Sequence, residues 1–248
     1  MSDMDAAEWA ANFWRQAGGP EPFPRSLEPA VAWALPLAVV RLPRLGLREL
    51  RGWLAERGIP FRLNSPDRRL RACVLARAGR GVVFLDGTDP EDELRFSLAH
   101  EVSHFVCDYL EPRMRAIAVL GAGAREILDG VRGPTPAERI TGLFGGIALG
   151  GYTRFMERSS DGEVARLDIL ESEDRADRLA LELLAPRTTV LARLETQGVR
   201  WRDPSAVDLA GDLLRGEFGL PSSAATLYGR LLVMSQRPAR SFREWLGA

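Results

Sequence analysis

Glu91-Asp-Glu-Leu-Arg-Phe-Ser-Leu98-Ala-His100-Glu101-Val-Ser-His104-Phe-Val-Cys-Asp-Tyr109 is the stretch on which the reading of this chain turns. Asp89 can cap a helix here, with Pro90 at its first position and three acids in its first turn, where the helix dipole favours them. The helix is expected to run to about Leu110. At about 100° per residue, Leu94, Leu98, Val102, Phe105, Val106 and Tyr109 form one broad apolar face. His100 and His104, one turn apart, share the opposite face, so both imidazoles can reach one metal ion. The chain has 2 histidines in 248 residues. The chance that they fall four apart with Glu between them is about 6 × 10⁻⁴, so two unrelated surface histidines are a poor account of the pattern.

Two imidazoles and one carboxylate suit zinc and leave a fourth tetrahedral position open. The third ligand must come from elsewhere in the chain. The helix expected over Glu171–Ala185, ended by Pro186, places Glu173, Ala176, Asp177, Ala180 and Leu184 on one face. Acids on an inward face are costly unless a cation sits there. Glu173 therefore fits as the third ligand. Asp177, one turn on, fits as the group that accepts a hydrogen bond from a liganding histidine and fixes its tautomer. Asp108, one turn beyond His104, is the rival ligand, but three ligands stacked along one helix converge poorly on a tetrahedral ion. Cys107 reads as a small packing residue rather than a thiolate ligand.

Composition narrows the alternatives. Basic and acidic residues number 33 and 34, for a net charge of −1, which offers no prior for a polyanion- or membrane-binding surface. Every basic residue is Arg, which excludes a P-loop lysine, a Schiff-base lysine and a Ser-Lys pair. Two cysteines, Cys73 and Cys107, allow neither a disulfide framework nor an all-cysteine zinc site. The acidic N-terminus lacks a signal-peptide pattern, and the apolar run Ala30–Val40 is broken by Pro36 and too short to span a bilayer. A cytoplasmic location is expected, with no membrane partner.

Around the central helix, 5–17 and Leu45–Arg57 read as helices, joined by a connector rich in proline (Pro20, Pro22, Pro24, Pro29). Ala72–Arg77 and Gly81–Asp86 read as a hairpin about Ala78-Gly-Arg80. Helices are expected near Arg125–Val131 and Ala137–Leu149, a strand over Val164–Ile169, and helices near Thr188–Glu195, Ser205–Phe218 and Ser223–Met234. The expected class is α+β, with a small sheet and a mostly helical C-terminal part. The expected division is a helical extension over 1–70, a core over 71–186 and a helical subdomain over 187–248. Leu209–Arg230 has the look of a helix-turn-helix with Gly219 near its turn, but with only Arg215 and Arg230 it lacks the positive stripe that duplex DNA requires.

Leu98-Ala-His-Glu-Val-Ser-His-Phe105, preceded by a short strand and an acidic turn, resembles the ImmA/IrrE-type metallopeptidases. So does the later block Glu173-x-x-Ala176-Asp177-x-Leu179-Ala180-x-x-Leu183-Leu184-x-Pro186. The resemblance covers roughly Ala72–Tyr109 and Glu171–Pro186. It implies a zincin-like fold in which His100, His104 and Glu173 bind Zn2+ and Glu101 is the catalytic acid/base. The Glu173/Asp177 pairing also resembles the thermolysin-like gluzincins, in which the Asp orients the first histidine. The resemblance further implies a zinc metalloendopeptidase that cuts a regulatory protein, a helix-turn-helix transcriptional repressor, in a stress or mobile-element response. Such chemistry needs an oxyanion donor, for which Tyr109, Tyr152, Tyr228 or an Arg are candidates. The strand Gly81–Asp86 is a candidate edge for an extended substrate. The competing reading is a DNA-binding or adaptor regulator that carries a zinc site without protease activity.

Overall fold

The computed structural model describes residues 5–59, 66–121, 123–139, 152–157 and 167–237. The hairpin forms as the sequence indicates. β2 (Leu70–Arg77) pairs antiparallel with β3 (Arg80–Asp86) about a turn in which Ala78 and Gly79 have φ of 53° and 77°. Both lie in the left-handed region that a tight hairpin turn demands, and glycine adopts it without steric cost. Two further strands complete the sheet in the order β1-β3-β2-β4. β1 (Leu37–Leu42) lies parallel to β3, and β4 (Tyr152–Glu157) antiparallel to β2.

Alternate residues of the hairpin leave opposite faces of the sheet. Ala72, Val74, Ala76, Val83 and Leu85 join the main core, while Cys73, Leu75 and Phe84 pack on Leu47, Leu50 and Leu54 of α3 (Leu47–Glu56). The sheet is therefore covered on both sides, which is why β2 reads as an almost unbroken apolar run.

On the main-core side lies the histidine helix, α4 (Glu91–His104). It begins with Pro90 in the cap position, one residue later than Asp89 would have placed it. Buried Asp86 shapes the approach, accepting hydrogen bonds from Thr88 N and Oγ1 and from Arg44 N. The helix does not stop at Leu110. A π-helical stretch, Phe105–Leu110, continues directly into α5 (Glu111–Leu120). Pro112 supplies the cause: it has no N–H to donate, and its ring would collide with the carbonyl of Asp108, so the preceding turn widens.

Among the described residues, the remaining helices are α1 (Ala6–Gln16), α2 (Leu27–Ala34), α6 (Ala124–Leu128), α7 (Leu167–Leu184), α8 (Arg187–Thr196), α9 (Ala206–Gly216) and α10 (Ser222–Gln236). One hydrophobic core runs from Ala10 and Phe13 through α4 and α7 to Leu232 and Val233. The class is α+β.

Several expectations need correction. The proline-rich connector contains α2, because Pro29 falls in its first turn, where a missing N–H costs nothing. The segment 1–70, expected to be a helical extension, contributes β1 to the sheet. No strand forms over residues 167–169, which open α7; 164–166 lie outside the described residues, as does most of the helix expected over Ala137–Leu149. The strand Gly81–Asp86 is central, between β1 and β2, so it offers no free edge and its proposed pairing with substrate is abandoned.

Candidate metal centre

α4 and α7 pack against each other and run antiparallel, so that Asp177 of α7 meets His100 while Ser172 and Glu173 lie opposite His104 and Asp108. The sequence reading placed the histidines on the face of α4 opposite the core. That face is in fact covered by α7, and His100, Glu101 and His104 are all buried. A helix buried on every side cannot be recognised from an amphipathic stripe alone.

Three ligand atoms converge under α7. His100 Nε2 and His104 Nε2 are 3.0 Å apart, and Glu173 Oε2 lies 3.3 Å from the first and 3.6 Å from the second. A tetrahedral zinc ion with bonds of about 2.0–2.1 Å sets its ligands about 3.3–3.4 Å apart. The observed triangle brackets that spacing. Among the described residues, His100, His104 and Glu173 form a group that could hold a metal ion.

The tautomers point the same way. His100 Nδ1 is 2.9 Å from Asp177 Oδ1, and His104 Nδ1 is 2.7 Å from Asp108 Oδ2. A carboxylate can only accept, so Nδ1 is the protonated nitrogen of each ring and donates to its acid. Both Nε2 atoms then present lone pairs to one another and to the Glu173 carboxylate. Three electron-rich atoms at 3.0–3.6 Å repel unless a cation lies between them. Burial pushes His104 below the usual histidine range; the hydrogen bond to Asp108 opposes that shift without overcoming it. A neutral imidazole is the form that binds metal.

Each proposed site residue can now be placed. His100, His104 and Glu173 come together, and Asp177 stands behind His100 as the helical wheel indicated. Asp108, the rival, lies outside that group. It orients His104 and is itself held by Ser172 Oγ at 2.7 Å and by an Arg175 guanidinium nitrogen at 3.2 Å. Glu101, next to His100 in sequence, is fully buried. Cys107 packs against the main core, and burial raises its thiol pKa to about 12, which disfavours a thiolate.

Two of the oxyanion candidates are engaged elsewhere. The Tyr109 hydroxyl accepts a hydrogen bond from Gly79 N in the β2–β3 turn, and the Tyr228 hydroxyl donates to Ala185 O. The side chain of Tyr152 lies outside the described residues.

Two supporting residues escaped the sequence reading. The Trp14 indole and the Arg25 guanidinium both donate to Leu183 O, at 3.2 and 2.9 Å, among the last carbonyls of α7 that have no partner within the helix. The Arg25 guanidinium also lies over the rings of Trp14 and Phe23. The N-terminal segment thus fixes the end of the helix that delivers Glu173. Only the distance of 158 residues between Arg25 and Leu183 hid the link. No family model, curated protein or solved structure matches the chain.

Proposed function

We propose that this chain is a zinc-dependent endopeptidase with a zincin-like core, in which His100, His104 and Glu173 hold the metal and Glu101 is the acid/base. The observation that carries the reading is the 3.0–3.6 Å triangle of two imidazole lone pairs and a carboxylate, each imidazole backed by its own acid. Structural zinc sites normally use four protein ligands, whereas three ligands with an open corner are the mark of hydrolytic sites.

Zinc, when bound, would supply Lewis acidity, making water a competent nucleophile near neutral pH and polarising the scissile carbonyl. Glu101 takes a proton from the attacking water and delivers it to the departing amine. Asp177 and Asp108 hold the two rings in the tautomer that leaves Nε2 free for the metal. With the hydroxyls of Tyr109 and Tyr228 directed elsewhere, Tyr152 and an Arg remain the candidates for steadying negative charge on the substrate.

The resemblance of the two sequence blocks to ImmA/IrrE-type metallopeptidases supports a protein substrate, a helix-turn-helix repressor whose cleavage relieves repression in a stress or mobile-element response. The alternative of a DNA-binding adaptor gains little from α9 and α10. The exposed side chains of α10 include Leu227, Leu231 and Met234, not a basic stripe.

The test is to purify wild type and Glu101→Gln, measure zinc per chain, and co-express each with candidate repressors. Both proteins should retain one zinc, and only the wild type should cut. Loss of metal from both, or equal cutting by Glu101→Gln, would overturn the assignment.

A further inference from the structure

A cavity of about 610 Å³ opens beside the metal centre, between the first turn of α1, Phe96 of α4, the second half of α7 and one face of α10. Its volume falls in the range of about 300–1,000 Å³ typical of ligand sites. Leu181, Leu227 and Leu231 give it an apolar floor, and the last two are 59% and 53% exposed, so nothing among the described residues covers them. Its walls carry Asp5, Asp174, Asp177 and Glu182 against Arg178 and Arg187. Asp174 pairs with Arg178, and the four acids outnumber the two arginines, so the lining is net negative.

The cavity adjoins the candidate metal centre, although none of the three ligands lines it. Asp177 is a wall of the cavity and the hydrogen-bond partner of His100, and Phe96 stacks obliquely near the same ring. The side chains of Glu173 and Asp177 are 40% and 46% exposed, so solvent reaches α7 both at the ligand triangle and at the cavity wall. From Glu173 to Leu181 the helix rises about 12 Å. An extended peptide covers that distance in three to four residues.

We propose that this cavity is a specificity subsite for the polypeptide being cut: it takes a large aliphatic or aromatic side chain three to four residues from the scissile bond, with an Arg or Lys beside it. The apolar floor selects the side chain, and the acidic wall selects its basic neighbour. The inference rests on the metallopeptidase reading, because the metal fixes where the scissile bond lies.

The test uses the zinc-loaded full chain and fluorescent Ala/Gly hexapeptides ending in a hydroxamate, which anchors to zinc. One Leu, with Arg next to it, is moved through all six positions, in one series with the hydroxamate at the C-terminus and in another with it at the N-terminus. In one series, Leu at the third or fourth residue should tighten binding at least about tenfold, the range expected for burying one such side chain. Exposed-site variants Leu227→Asp and Leu231→Asp should erase that gain while leaving the affinity of the plain Ala/Gly hydroxamate unchanged. Exchanging the Arg for Glu should weaken binding several-fold. A flat profile in both series, or a gain that survives in both variants, overturns the subsite while the metal centre stands. Failure of the plain hydroxamate to bind overturns the metal centre and the subsite together.

Discussion

Asp108 on the π-helical stretch accepts a hydrogen bond at 2.7 Å from Nδ1 of His104, four residues earlier, so the second histidine is oriented from within its own continuous helix. His100 is oriented from α7, by Asp177. Each imidazole is therefore held by its own acid, and α7 braces Asp108 through Ser172 and Arg175.

Asp108→Asn should lower zinc affinity by about 10–100-fold, the usual cost of losing a group that orients a metal-bound histidine. An amide can turn its NH2 toward Nδ1 and favour the wrong tautomer. Competition with a chromogenic chelator measures the effect. Ser172→Ala should produce a smaller loss in the same direction, and unchanged affinity in Asp108→Asn would remove its positioning role.

The metal-free protein should lose stability as pH falls below about 6.5. Folding lowers the pKa of His104, chiefly by burial, so the unfolded chain takes up its proton first. His104 thus contributes stability that is fully present above the unfolded value and fades as pH drops toward the lower folded one. Urea titrations of chelator-treated protein between pH 7.5 and 5.5 should show this decline, and His104→Gln should flatten it.

Cys107 should resist alkylation in the folded protein. Burial, aided by Asp108 and Glu111, lifts its thiol to about 12, so little thiolate exists at pH 8. Iodoacetamide labelling, followed by mass spectrometry, should be at least about tenfold slower than in urea. By the same linkage, its contribution to stability is complete below the unfolded thiol value and is lost as pH rises toward 12.

Gly81→Ala should destabilise the fold by about 1–3 kcal/mol, the cost of overpacking a filled core. A Cβ there would stand 2.6 Å from Leu37 Cδ1 and 2.8 Å from Phe105 Cε2. These atoms belong to β1 and to the first residue of the π-helical stretch. Chemical denaturation measures the loss, and wild-type stability would mean that the helix can shift away from the sheet.

Much of the centre was legible because its parts are local. The four-residue spacing of His100 and His104 is a property of one helix, and so is the spacing of Glu173 and Asp177 on another. The β2–β3 hairpin was readable for the same reason, since Ala78-Gly-Arg80 is a turn between two short apolar runs. Asp108 could be seen near His104 but not given its role. Whether it binds metal or a histidine depends on where the third ligand arrives. Pro112 was the available sign that the helix would widen rather than end. β1 and α2 were obscured by prolines that, at a helix start and before a strand, break nothing.

The sequence by itself determined the candidate ligand types, their pairing within each helix and the mixed α+β class, because side-chain periodicity is set by backbone geometry alone. Only the tertiary structure decided that α7 runs antiparallel over α4, that Trp14 and Arg25 hold its end, and that β3 lies inside the sheet. Those relations join residues far apart in the chain, from 44 positions for Leu37 with Gly81 to 169 for Trp14 with Leu183. Contacts at such distances are selected by the packing of whole faces against one another, which no local pattern encodes.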